Sequence, residues 1–131
     1  MSPPINNNDD ELTGASLALV NKTAPYGQAN GQESLDLALA AGSFGHNVSL
    51  FFIEDGVFQL LARQAPELIE AKNYSKAFAA LEFYDIDNVF VCAESLAVRH
   101  LSAQDLSIEV QTLSNEQLKK RLNQHQHILS F

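Results

Sequence analysis

Short apolar runs and helical stripes alternate along this chain, which is the pattern of an α/β domain. Leu17, Ala18, Leu19 and Val20, closed by Asn21 and Lys22, read as a first strand. Residues 23–31 hold Pro25, Gly27 and Gly31 and read as a loop. Asn30 followed by Glu33 resembles a capping box, so a helix is expected from there. Leu35, Ala38, Leu39 and Gly42 form its core-facing stripe, and Gly45 ends it. Residues 48–53 are almost wholly apolar, the mark of a strand covered on both faces. Val57, Leu60 and Leu61 predict a short helix, residues 62–72 with Pro66 a loop, and Tyr74, Ala77, Phe78 and Leu81 another helical stripe. Residues 89–92 are a third buried strand, followed by a short helix over 94–100. Ile108 and Val110 alternate with Ser107 and Glu109, which predicts a half-exposed strand near an edge. Ser114 and Gln117 form a second capping box, flanked by Leu113 and Leu118 at hydrophobic-staple spacing, with Leu122 continuing that helix. A last short strand is expected over 128–131.

Parallel strands need crossover connections, so this alternation predicts a single α/β domain. It is expected to be an open, mostly parallel five-stranded sheet with helices on both faces, spanning residues 15–131. Residues 1–14, rich in Asn, Asp and Pro and without periodicity, read as a flexible N-terminal extension.

Composition narrows the function. The 131 residues suit one domain, and 46% apolar content can fill a core. No apolar run approaches the roughly 18 residues needed to cross a bilayer. The start Met1-Ser2-Pro3-Pro4 has neither the basic nor the apolar stretch of a targeting peptide, so a cytoplasmic protein is expected. Sixteen acidic residues against eight basic ones leave a charge of −8, which opposes direct contact with a nucleic-acid backbone. Lys119, Lys120 and Arg121 lie in a helical pattern and read as a solvated face.

Candidate chemistry is sparse. The loop 25–31 sits where open α/β sheets bind ligands, and free amides at a helix N-terminus favour anions. Its spacing fits neither the dinucleotide fingerprint nor the phosphate loop, and tight turns explain its glycines. His46, His100, His125 and His127 lack zinc-like spacing, so neither a metal nor another cofactor is expected. His46 fits a helix terminus, whereas His125 and His127 would share a face if both lay in a strand. No G-x-S-x-G elbow occurs. Glu54 and Asp55, at a strand end, fit a solvated turn or an interface edge better than a catalytic pair. Cys92 is the single cysteine, placed at the end of a buried strand and before a helix. A helix N-terminus favours the thiolate that sulfur transfer needs; Glu94 works the other way, and a free cysteine is most often a small core residue.

At this point the residues carry a family likeness. The run Phe51-Phe52-Ile53-Glu54-Asp55-Gly56-Val57-Phe58-Gln59-Leu60-Leu61 resembles the signature stretch of TusC/DsrF-type subunits in the DsrE/DsrF superfamily. Thr23-Ala24-Pro25-Tyr26-Gly27 with Gly31, Glu33, Leu35 and Asp36 is similar to the same proteins, as is Tyr84-Asp85-Ile86 leading to Val91-Cys92-Ala93-Glu94-Ser95-Leu96, Arg99 and Leu101. The likeness runs from about residue 17 to 131. It implies a parallel sheet between helices and assembly with TusB-like and TusD-like chains (or DsrH-like and DsrE-like ones) into a dimer of heterotrimers. Such a complex passes persulfide sulfur from a TusA-like carrier toward a TusE-like one, and on to 2-thiouridine in tRNA. The DsrEFH kind serves dissimilatory sulfur oxidation. The resemblance assigns the sulfur-carrying cysteine to the TusD/DsrE-type sibling, whose place after a strand Cys92 shares. Family members usually begin directly at the first strand, often with a basic residue; the acidic, Asn-rich extension departs from this.

Three readings follow. The leading one is an accessory subunit that shapes the relay complex and presents the sibling's cysteine, or a homo-oligomer in isolation. Its interface is expected at Asp55, Gly56, Phe58 and Leu61, an apolar stretch at a strand exit, with Phe58 as the anchor. The second makes Cys92 itself a persulfide carrier and the chain a sulfurtransferase. The third is a small-molecule binding module using the loop 26–31.

Overall fold

Each central strand alternates between two apolar layers, and that alternation builds the molecule. The computed structural model describes residues 16–23, 30–61, 80–81, 86, 88–106 and 108–131. Its strands are β1 (Ser16–Asn21), β2 (Asn47–Phe52), β3 (Asn88–Cys92), β4 (Gln111–Leu113) and β5 (His127–Ser130). They form one sheet in the order β4-β3-β2-β1-β5, and every pairing is parallel. The apolar run expected to be covered on both faces is the central strand, β2.

Leu19, Val48, Leu50, Phe52, Val89 and Val91 point to one face. Ala18, Val20, Phe51, Phe90 and Cys92 point to the other. On the first face lie Leu35 and Ala38 of α1 (Asn30–Ser43), Val57 and Leu60 of a 3-10 helix (Glu54–Leu60), and Leu96 of α2 (Ala93–Val98). On the second lie Leu118 and Leu122 of α3 (Asn115–Leu122). Helices thus cover both faces, because each central strand presents apolar side chains on both. Burying one such side chain contributes about 1.5–3 kcal/mol. On the second face Phe51 stacks on Phe90 at 5.0 Å and meets the His125 ring edge-on at 5.7 Å. Among the described residues no helix is long and apolar enough to cross a membrane.

Local signals end the helices where the sequence places them. Gly45 has a φ of +84°, and the amides of Gly45 and His46 donate to Gly42 O and Ala41 O at 3.0 and 3.1 Å. This is a Schellman closure, which needs the left-handed conformation glycine supplies. At α3, Ser114 Oγ accepts from Gln117 N at 3.2 Å while Gln117 Oε1 accepts from Ser114 N at 3.0 Å. Leu113 packs in the same cluster as Leu118, completing the staple.

The edge strand needs correction. Alternation over 107–110 predicts a strand there, but β4 lies at Gln111–Leu113, in register with Phe90, Val91 and Cys92. Ile108 and Val110 instead pack partly buried against the first-face core, beyond the bridge between Leu61 and Leu106. A chain crossing the end of a sheet buries alternate residues much as a strand does. The last strand likewise begins one residue earlier than expected, at His127. The N-terminal extension, the loop residues 24–29, the loop 62–72 and the stripe residues Tyr74, Ala77 and Phe78 lie outside the described residues; Leu81 of that stripe is buried in the core.

Candidate functional site

The connections leaving β1, β2 and β3 lead to elements on the first face, whereas the one leaving β4 enters α3 on the second. The carboxyl ends of β3 and β4 therefore flank a topological switch point, the place where open α/β sheets leave a crevice. A cleft of ≈ 330 Å³ opens there, lined by Ile53, Glu54, Cys92, Glu94, Ser95, Val98, Arg99 and Asn115.

Cys92 closes the floor of this cleft. It is the last residue of β3 and the N-cap of α2, and its Sγ accepts from the Ser95 amide at 3.4 Å. The sulfur donates to Asn115 Oδ1 at 3.1 Å and lies 3.7 Å from Glu94 Oε1. Glu94 Oε1 in turn accepts from the Asn115 amide at 3.2 Å. These bonds tie the start of α2 to the start of α3 through the thiol. Cys92 is only 3% exposed.

The other wall is built from the β2 exit. Glu54 has a φ of +51°, a left-handed conformation that costs a non-glycine residue about 1–2 kcal/mol. Its amide donates to Ser95 Oγ at 2.8 Å, which holds the turn against α2. Arg99 spans the two segments: Nε and Nη2 donate to Asp55 Oδ1 at 3.2 and 2.9 Å, and Nη1 donates to Ser95 O at 3.1 Å. The guanidinium also lies 5.9 Å from the Phe58 ring centroid. Arg99 is thus committed to structure on three sides.

The residues expected at an interface fall into different settings. Asp55 is exposed and paired with Arg99. Phe58 is half-buried beside the same arginine. Leu61 is half-buried and bridges Leu106. Gly56 is buried, and a side chain there would run into the backbone of Asn21 and Lys22. The exposed Val98 adds apolar surface to the lining of the cleft.

Asn115 escapes sequence reasoning. It follows an N-cap serine, where any polar residue is unremarked, and only the β3–β4 pairing brings it to the sulfur. The histidines do not act together. His125 precedes β5, with Nδ1 2.8 Å from Arg121 O and Nε2 2.8 Å from Ser49 Oγ, whereas His127 is an exposed residue of β5.

Known proteins give this geometry a family. The ychN protein from E. coli, a crystal structure, superposes with a TM-score of 0.77 over 90% of this chain and 100% of its own, at 23% identity, which speaks to the fold. A protein of Vibrio parahaemolyticus described as "Protein TusC homolog" is 44% identical over 117 residues, 89% of this chain and 99% of that one. A protein of Aliivibrio fischeri with the same description is 37% identical over 88% of this chain and 98% of its own. The model of the DsrE/DsrF-like family matches residues 15–131. The chain belongs to the DsrE/DsrF-like family and is of the TusC type.

Proposed function

We propose that this chain is the accessory subunit of a TusBCD-like sulfur-relay complex, supporting persulfide transfer toward tRNA 2-thiouridine without carrying the sulfur itself. That it is a sulfur-relay subunit rests on its family and type. The TusC description of its relatives favours the TusBCD kind over the DsrEFH kind. TusB-like and TusD-like chains are then its direct partners, and TusA-like and TusE-like carriers reach it through the complex.

One observation carries the accessory role: Cys92 is 3% exposed and its sulfur is engaged by Asn115 and the Ser95 amide. A persulfide carrier must present its sulfur to two partners in turn, so it needs an accessible thiolate. Here the thiol joins two helix starts. The rival reading, in which Cys92 accepts sulfur, draws on its place in the switch-point cleft.

The test is transfer of labelled sulfur to the downstream carrier in a reconstituted complex. Cys92→Ser is expected to keep most of the transfer, whereas substitution of the sibling's cysteine stops it. Loss of transfer in an intact Cys92→Ser complex would make this chain a sulfurtransferase in its own right.

A further inference from the structure

All-parallel sheets are normally buried, and their strands are covered on both sides. β5 breaks this rule. All four of its residues are exposed, including Ile128 at 47% and Leu129 at 44%. The register sets Ile128 beside Ala18 and Leu129 beside Leu19, so the two point to opposite faces. The apolar exposure therefore belongs to the edge of the sheet and not to one face of it.

The backbone points the same way. Phe131 directs both its polar groups at the β1 side: its amide donates to Val20 O at 2.8 Å, and its carbonyl accepts from Lys22 N at 2.9 Å. Alternate residues of a strand face opposite edges, so Leu129 and His127 also face β1. The amides and carbonyls of Ile128 and Ser130 then point away from the sheet. Natural edges of this kind are blunted by lysine, proline, a bulge or an inward charge. The segment 123–131, Asn-Gln-His-Gln-His-Ile-Leu-Ser-Phe, carries no Asp, Glu, Lys, Arg or Pro, in a chain of charge −8. Among the described residues the sheet has two edges, β4 and β5, and at β5 two such acidic molecules meet without charged side chains to repel one another.

We infer that β5 is a self-association edge: a second copy of this chain pairs its own β5 antiparallel across a two-fold axis at Leu129. Only that register uses both outward residues of both copies, because Ile128 then faces Ser130 of the second copy, and Ser130 faces its Ile128. Each such pair exchanges two hydrogen bonds. The two Leu129 side chains meet on the first face as a close, non-hydrogen-bonded pair, and each Ile128 is covered by the second strand. An isologous contact of this kind closes as a dimer and leaves no further edge at β5. The inference stands on the edge alone and is independent of the sulfur-relay reading.

The experiment uses the purified chain. Sedimentation equilibrium is expected to give a mass twice the 14.4 kDa of one chain. Ser130→Pro removes an outward donor while sparing the bonds to β1, and is expected to return the mass to a single chain with an unchanged circular dichroism spectrum. Leu129→Cys supplies an exposed thiol in addition to the buried Cys92, and oxidised glutathione is expected to convert it to a covalent dimer. His127→Cys, off the axis, is expected to cross-link far less. A single-chain mass at every concentration would overturn the inference. So would a dimer that survives Ser130→Pro, or equal cross-linking at positions 127 and 129. A Ser130→Pro chain that fails to fold leaves the cysteine pair as the deciding measurement. Occlusion of β5 by a TusB-like or TusD-like chain, with this chain alone monomeric, would assign the edge to a sibling and refute the second copy as its occupant.

Discussion

Gly56 lies so close to Asn21 that the backbone of β1 excludes a side chain from the turn after β2. The contact is fixed by two hydrogen bonds: Ile53 N donates to Asn21 O at 3.0 Å, and Gly56 N donates to Ile53 O at 2.8 Å. The Asn21 side chain in turn donates to Phe51 O at 3.2 Å, so the end of β1 and the exit of β2 form one unit. Main-chain atoms cannot rotate away from an added methyl. Gly56→Ala is therefore expected to destabilise the fold by about 1–3 kcal/mol. A urea melt checks this: the midpoint should fall with little change in slope. An unchanged midpoint would mean that the turn relaxes freely.

Phe58 is half-buried beside Arg99, which also pairs with the exposed Asp55. Phe58→Asp is expected to weaken association with sibling chains by about 2 kcal/mol or more, the scale of an interface anchor, which is roughly thirtyfold in affinity. Light scattering of the mixed subunits reads this, with circular dichroism as the control for folding. Normal assembly of a folded mutant would remove Phe58 from the interface.

His125 makes folding sensitive to pH. Burial lowers its pKa from the ordinary value of 6.5, aided by the nearby Arg121 charge and opposed by backbone acceptors at Arg121 and Leu122. The folded state therefore prefers neutral imidazole, and the unfolded chain binds the proton first as pH falls. His125 is expected to contribute its full stabilisation above 6.5, and part of it should be lost as pH drops through 6.5 toward the lower folded value. Chemical denaturation at several pH values should show this slope, and His125→Gln should flatten it. A slope that persists in the mutant would point to another group.

Ser114 caps α3 within a reciprocal capping box. Ser114→Ala is expected to cost about 1 kcal/mol, and by freeing the first turn of α3 it should also loosen Asn115 from Cys92. A thiol reagent reports the second effect. The mutant's Cys92 should react faster than the wild type's in native buffer, and equal rates would show that the cap does not hold Asn115 in place.

Periodicity and punctuation were enough to read much of this protein from its residues. The runs around Leu19, Leu50 and Phe90 are apolar at successive positions and too short for typical helices, which fits strands covered on both faces, so a parallel sheet with helices on both sides followed. Gly45 and the pair Ser114 and Gln117 marked helix ends because those bonds form within a few residues. The stretch from Phe51 to Leu61 and its companions carried the family. Tertiary structure decided what depends on pairing between distant segments. Ile108 and Val110 alternate like a strand, yet the partner of β3 is Gln111–Leu113, since register is set by which backbone groups meet. Asn115 reaches the Cys92 sulfur only because β4 lies beside β3. The need for glycine at position 56 comes from Asn21, which is 35 residues away in the chain. The outward amides of Ile128 and Ser130 become an open edge only because β5 takes the last place beside β1. Local patterns record bonds made within a turn or two, whereas strand order, the cleft and the edge arise from loop closures that leave no periodic trace in the chain.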